Sequence, residues 1–184
     1  MTSNVANTEV AQPYAQALLS IAKSKNLTEE FGEDARTLLN LLSGNQQLRN
    51  FIDNPFIVAE NKKALITQIL GEGASPYLRN FLLLLVDKRR IFYLEQILKQ
   101  YLALLRQLNQ TVLAEVTSAV ELTEEQQQAV KEKVLAITKA RQVELETKVD
   151  SDLIGGVIIK VGSQVIDSSI RGQLRRLSLR LSNS

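Results

Sequence analysis

Apolar residues recur every three or four positions through the first 108 residues, then every second position through much of the remainder. The first period is that of helices with one buried stripe, the second that of half-buried strands. The change comes at Asn109 and predicts two domains, 1–108 and 109–184. In the first, Pro13 fits the opening turn of a helix, where its missing N–H costs little. Tyr14, Leu18, Ile21 and Ala22 come next at helical spacing, and Ala11, Ala15 and Ala22 make one side thin enough for a close neighbour. Thr28 is expected to cap a second helix with Glu29 and Glu30 near its positive end. Phe31, Ala35, Leu38, Leu39 and Leu42 form its stripe, and Gly44 is expected to end it in the left-handed conformation. A short helix from Gln46 to Ile52 stops before Asn54-Pro55, and a fourth runs from about Val58 to Leu70 and stops at Gly71.

Ser75-Pro76 reads as N-cap and first position of a fifth helix, Tyr77 to about Asp87, which is apolar almost all round. Such a helix is either central in a bundle or covered by a partner, and periodicity alone does not separate the two. After the polar corner Asp87–Arg90, a sixth helix from Ile91 to about Asn109 carries Leu94, Ile97, Leu98, Tyr101, Leu105 and Leu108 on one face and leads from one domain into the other.

Beyond it, "TVLAEVTSAV" (Thr111–Val120) alternates as a strand, with Val112, Ala114, Val116 and Val120 on one side. Thr123 and Gln126 form a capping box for a helix with Val130, Val134 and Ile137 inward. "VELETKVD" (Val143–Asp150) alternates more cleanly, so one face of the sheet meets water. Val157–Val161 and the residues after Gly162-Ser163 form a hairpin, and Asp167 or Ser168 is expected to cap a last helix with Ile170, Leu174, Leu177 and Leu181 as its stripe. The fold class is mainly α: an N-terminal six-helix bundle, then a small α+β domain ordered β-α-β-β-β-α.

Composition removes several functions. The 184 residues contain no cysteine and no histidine, which excludes disulfides and thiolate zinc sites and removes the commonest proton-transfer group near neutral pH. With 22 basic and 20 acidic side chains there is no strong pull toward nucleic acid or anionic lipid. The longest apolar run, Phe81–Val86, is far short of the roughly 20 residues that span a bilayer. The first residues lack the pattern of a secretory signal or transit peptide.

Candidate phosphate sites fail on spacing. Five residues separate Gly156 from Gly162, and Ser163 stands where a P-loop needs lysine. Gly71-x-Gly73-x-x-Pro76 has proline at the third glycine and comes after a helix, so the dinucleotide fingerprint fails too. The tail from Ser168 carries Arg171, Arg175, Arg176 and Arg180 without an acid, which suits an RNA-binding module. It equally suits a helix whose arginines face the negative end of its dipole. No aromatic interleaves these arginines, which favours the second reading. Glu124-Glu125 and Glu144/Glu146 are carboxylate pairs, but neither has the apolar surroundings that poise a general acid. Surfaces for protein partners remain: the first and fifth helices, and the strands and basic helix at the end.

Four stretches carry a resemblance: "YAQALLSIA" (Tyr14–Ala22), "NFLLLLVDKRRIFYLEQILKQY" (Asn80–Tyr101), "AEVTSAVELTEEQ" (Ala114–Gln126) and "DLIGGVIIKVGSQVIDSSIRGQL" (Asp152–Leu174). Together they resemble the delta subunits of F-type ATP synthases, relatives of the mitochondrial oligomycin sensitivity conferral protein, in their cyanobacterial and plastid form. The resemblance implies a non-catalytic stator subunit without cofactor or metal, which joins the catalytic head to the peripheral stalk so that proton-driven rotation does work. It implies that the N-terminal domain binds N-terminal segments of the alpha subunits in a groove between the first helix (Tyr14, Ala15, Leu18, Ala22) and the fifth (Leu78, Leu82, Leu85). It implies that the C-terminal domain binds the b-type stalk subunits through Ile170, Arg171, Leu174, Arg175 and Leu177. Nucleic acid is not an implied partner. The implied location is peripheral, on the cytoplasmic or stromal-side face of a thylakoid or inner membrane, with membrane contact only through the complex.

Overall fold

The computed structural model describes residues 2–71, 73–138 and 140–174, with side chains from residue 9 onward. The chain divides into two compact units between Leu105 and Arg106.

The first unit holds α1 (Thr2–Lys25), α2 (Thr28–Gly44), α3 (Gln46–Asp53), α4 (Ala59–Leu70), α5 (Pro76–Asp87), a 3-10 turn (Ile91–Tyr93) and most of α6 (Leu94–Asn109). Their apolar stripes close on one core, from Ala11, Ala15 and Leu18 through Phe31, Leu82 and Leu85 to Ile97, Leu98 and Tyr101. Burial of each large side chain contributes roughly 1.5–3 kcal/mol, which offsets the ordering entropy of the helices. Two polar ties fix the packing. The phenol of Tyr101, fully buried, donates to the Thr28 carbonyl at 2.9 Å. Burial, with the Glu29 charge beside it, pushes that phenol up to about 12. The ammonium of Lys62 on α4, also buried, donates to the Ile52 carbonyl at the end of α3 at 2.5 Å. Its pKa is lowered by burial, against the opposing pull of Asp53.

Several helix ends differ from the expectation. Pro13 lies inside α1 rather than in its first turn, so the Glu9 carbonyl lacks its usual intrahelical partner. Thr28 is already helical and does not cap α2. Asn26 takes the left-handed conformation and the Leu27 amide bonds the Ala22 carbonyl, so the closing turn of α1 fixes Leu27 as the residue before α2. Gly44 is the last residue of α2 and is not left-handed. The chain turns at Asn45, whose side chain accepts from the Leu48 amide and starts α3 at once. The sixth helix begins as a 3-10 turn, and Leu108, expected inward, is exposed.

In the second unit, β1 (Thr111–Ser118), α7 (Glu124–Thr138), β2 (Gln142–Val149), β3 (Val157–Val161) and β4 (Gln164–Asp167) form a four-stranded sheet of order β2-β1-β3-β4. β1 and β2 run parallel through α7, while β3 and β4 add antiparallel. Ala114, Val116 and Ile159 meet Val130 and Val134 of α7 on one face. The other face is charged, with Lys160–Glu115 at 3.1 Å and Arg106–Glu144 at 3.2 Å. The Thr123–Gln126 capping box forms as the sequence predicts. Ile137 and Val120 do not enter this core, because β1 ends at Ser118 and α7 turns Ile137 outward.

One charge sits badly in the bundle. Asp34 has an oxygen shut off from solvent with no hydrogen-bond partner among the described residues. Burial raises its pKa, and the neighbouring Glu30 and Glu33 raise it further. A carboxyl whose folded pKa lies above its unfolded value stabilises the fold below the unfolded value and loses that contribution as pH rises through the folded one. Asp34→Asn, which imitates the protonated form, should therefore raise the urea midpoint at pH 7. The gain should vanish as pH falls below the ordinary aspartate value of 3.8, where the native side chain is itself protonated. Urea titrations at the two ends of that range test this directly.

Candidate partner interfaces

The structure brings the predicted alpha-subunit residues together, but as a closed seam. Ala15, Leu18, Ala22, Leu78, Leu82 and Leu85 are all at most 1% exposed and belong to the bundle core. A partner helix cannot touch them while the bundle is folded. The reason is local: alanines at positions 11, 15 and 22 leave no bulk on that side of α1, so its neighbours close on it. Tyr14 is half-buried at the edge.

The accessible surface is the rim of that seam. Along α1, Tyr14, Ile21 and Lys25 are spaced seven and four residues apart and so share a face. Along α5, Tyr77 and Leu84 are seven apart and both exposed, at 42% and 45%. The two faces meet where the Lys25 ammonium lies 5.0 Å from the centre of the Tyr77 ring, a cation–π contact. Beside Tyr14 and Ile21, α1 also exposes the short side chains of Ala17 and Ser20. An amphipathic segment could lie along this strip. Sequence periodicity does not single out Tyr77 and Leu84, although each is the immediate neighbour of a predicted interface residue. On a helix apolar almost all round, periodicity does not say which stripe faces out.

In the second unit, the paired glycines position the chain's last described turn. The Ile170 amide donates to the Gly155 carbonyl at 3.0 Å, and the Ser168 amide to the Val157 carbonyl at 2.9 Å. Gly156 has φ +82°, and a Cβ there would lie against the Ser168 carbonyl oxygen. Only glycine allows this approach without strain. Residues 170–174 then form a helical turn. Its cap is Ser169, not Asp167 or Ser168: the Ser169 hydroxyl accepts from the Gly172 amide at 3.0 Å. Asp167 braces the cap, accepting from both the amide and the hydroxyl of Ser169.

Of the predicted stalk residues, Ile170 and Leu174 are four apart on this turn and exposed at 44% and 55%; Arg171 is exposed beside them. Arg175 and Leu177 lie outside the described residues. Ile154, next to Gly155 and 72% exposed, adds to the apolar surface. Sequence periodicity misses Ile154 because it stands in a loop. Among the described residues, no group of three or more acidic side chains is placed to hold a metal ion. Glu144 is engaged with Arg106, and Glu124-Glu125 opens α7.

Two substitutions separate wall from rim. Leu82→Ala should lower stability by about 2–5 kcal/mol, because it opens a cavity in the core. Leu84→Ala should stay within about 0.5 kcal/mol of the native protein, as exposed sites do. In the second unit, Gly156→Ala should cost roughly 1–3 kcal/mol in strain and remove the exchange protection of the Ile170 amide. Urea melts and amide exchange measure these.

Both units, with their exposed surfaces, fall within one stretch of similarity to known proteins. The family model described as the ATP synthase delta (OSCP) subunit matches residues 10–181. Over all 184 residues, and the whole of each relative, the chain is 91% identical to the ATP synthase subunit delta of Trichormus variabilis and 90% identical to that of a Nostoc species. It is 55% identical over 181 residues to the subunit of that name from Synechocystis, covering 98% of each chain. Among solved structures, a chain in the cryo-EM structure of the Toxoplasma gondii mitochondrial ATP synthase hexamer has a TM-score of 0.72 and 25% identity, covering 93% of this chain and 96% of that one.

Proposed function

The chain belongs to the ATP synthase delta (OSCP) family and is a peripheral-stalk component of an ATP synthase; on that premise we propose that it is a passive mechanical joint between the catalytic head and the stalk. The observation that carries this reading is near-identity, from end to end, with proteins named for that subunit. The geometry supports it, because each compact unit carries its own exposed apolar surface.

The first unit receives an amphipathic N-terminal segment of an alpha subunit along the strip of Tyr14, Ile21, Tyr77 and Leu84. The buried Ala15, Leu18, Ala22, Leu78, Leu82 and Leu85 support this strip from beneath and do not touch the segment. The second unit receives the b-type stalk subunits on the surface of Ile154, Ile170 and Leu174, with Arg171 beside it. The chain transforms no substrate and binds no cofactor. No described helix is long and apolar enough to cross a membrane, and membrane association is peripheral, through the complex. The face occupied is the cytoplasmic or stromal side of a thylakoid or inner membrane.

The two surfaces should fail independently. Tyr77→Asp with Leu84→Asp should weaken binding to the isolated catalytic head by about tenfold or more and leave stalk binding intact. Ile170→Asp with Leu174→Asp should do the reverse. Surface plasmon resonance with head and stalk immobilised separately reads both. A head affinity unchanged by the first pair, in variants with native melting curves, would remove the strip from the proposal.

A further inference from the structure

The first unit has a second apolar surface that the joint between head and stalk does not use. It is a cleft of about 440 Å³ between the loop after α3 and the corner after α5. Phe56 and Val58 form one wall, 92% and 57% exposed; Phe92, 47% exposed, stands on the other, with Ile91 at the floor. Phe56 lies on a turn between Pro55 and Ile57, where it has no core to complete. A cluster of large apolar side chains held open in water marks a surface that another molecule covers.

The charges around it indicate what covers it. Lys88, Arg89 and Arg90 are consecutive at the corner, and Arg89 lines the cleft. Arg90 lies over the Tyr93 ring at 5.9 Å, and Asp87, the acid nearest in sequence, is engaged with Lys63. Neither Lys88 nor Arg89 has an ion pair or side-chain hydrogen bond among the described residues. Asp53 and Lys62 also line the cleft and stand beside one another, and Glu60 is a second acid of the lining; with Lys88 and Arg90 next to Arg89 in sequence, the corner after α5 is the basic side of the cleft.

The backbone fixes where Arg89 stands. The Arg90 amide bonds the Leu85 carbonyl at 2.7 Å and the Arg89 amide the Val86 carbonyl at 2.9 Å, the closing pattern of a helix whose next residue is left-handed. Arg89 occupies that residue with φ +55°, where glycine is the usual occupant and any side chain is strained. Asn26 and Gln110 take the same conformation after α1 and α6, so the conformation marks a helix end; what distinguishes Arg89 is that it lines an apolar cleft.

We propose that the Phe56–Phe92 cleft docks an acidic segment of a partner protein, with a bulky apolar side chain seated between the two phenylalanines and a carboxylate on Arg89. This interface is additional to the strip of Tyr77 and Leu84. It rests on the stator reading only for the assembly that supplies the segment.

The test uses the full chain and two short blocked peptides, one with Phe and Leu among Asp and Glu, the other with Lys in place of every carboxylate. Calorimetry should show saturable binding of the acidic peptide and none of the basic one. Phe56→Ser and Arg89→Glu should each weaken it about tenfold or more, and Tyr77→Asp should leave it unchanged. Both altered side chains are exposed, so melting midpoints should not fall. Arg89→Gly carries the sharper signature: it should raise the urea midpoint by relieving the backbone and still weaken binding, an opposition that a purely structural arginine would not show. Equal binding of the two peptides, or of native and variant chains, overturns the proposal. So does self-association abolished by Phe56→Ser, which makes the occupant a second copy, or binding to anionic-lipid vesicles abolished by Arg89→Glu, which makes it a membrane. A native chain that fails to bind the isolated head refutes the stator reading and leaves the peptide result to decide the cleft. Head binding without peptide binding refutes the cleft alone.

Discussion

Helix α5 must bury one broad face. Leu78, Phe81, Leu82, Leu85 and Val86 all require burial, and at 3.6 residues per turn they span about 140° of its circumference. The bundle is arranged to satisfy this. α4, α1 and the 3-10 turn pack around α5, and α1 can do so closely because it presents Ala11, Ala15 and Ala22. The stripe of Tyr77 and Leu84 is left outside. The burial that stabilises the first unit therefore also decides which few side chains are left for a partner.

That constraint explains the largest difference between sequence and structure. The helices, their order, the change of period near Asn109 and the capping box at Thr123 were legible, because each depends on local patterning. Which residues of α1 and α5 stay exposed was not. Leu82 and Leu84 are both leucines on a helix apolar all round, and only the placement of α1 makes one core and the other rim. Helix ends failed for a related reason. Thr28 and Gly44 look like a cap and a stop in isolation, but the α1–α2 and α2–α3 connections are so short that Leu27 and Asn45 each serve two helices at once. A rule that treats each helix separately does not see the sharing.

The second unit shows the opposite case, in which a signal was visible in the sequence and its meaning came from the fold. Gly156 and Gly162 failed as a phosphate loop on their spacing, which left the Gly155-Gly156 pair without a role. In the structure the pair lets the backbone after β4 lie directly against the loop before β3, with Ile170 hydrogen-bonded to Gly155. That contact orients Ile170 and Leu174 outward, and Ser169 and Asp167 fix the start of the turn. The glycines therefore set the direction of a proposed docking surface without taking part in it. A larger residue at Gly156 would press on the Ser168–Ser169 backbone and move the turn, whereas one at Gly155 would meet only the tip of the Ile170 side chain.

On the proposed reading, the load runs through two attachments in series, and the shorter-lived one limits the joint. Each 1.4 kcal/mol changes a dissociation constant about tenfold, and most such differences fall on the dissociation rate. A stable interface of ordinary size takes about 800 Å² from each partner, more than Tyr14, Ile21, Tyr77 and Leu84 can supply alone. The segment that covers them must also lie on short side chains of α1 such as Ala17 and Ser20, where contact contributes shape more than energy. A strip this narrow would release readily if it were the sole connection to the head. Further contacts made by the same unit on the same assembled head would hold the strip at a high effective concentration, so that one contact re-forms before the others are lost. A joint that must persist under torque is thus better served by several modest surfaces on one rigid bundle than by a single tight one.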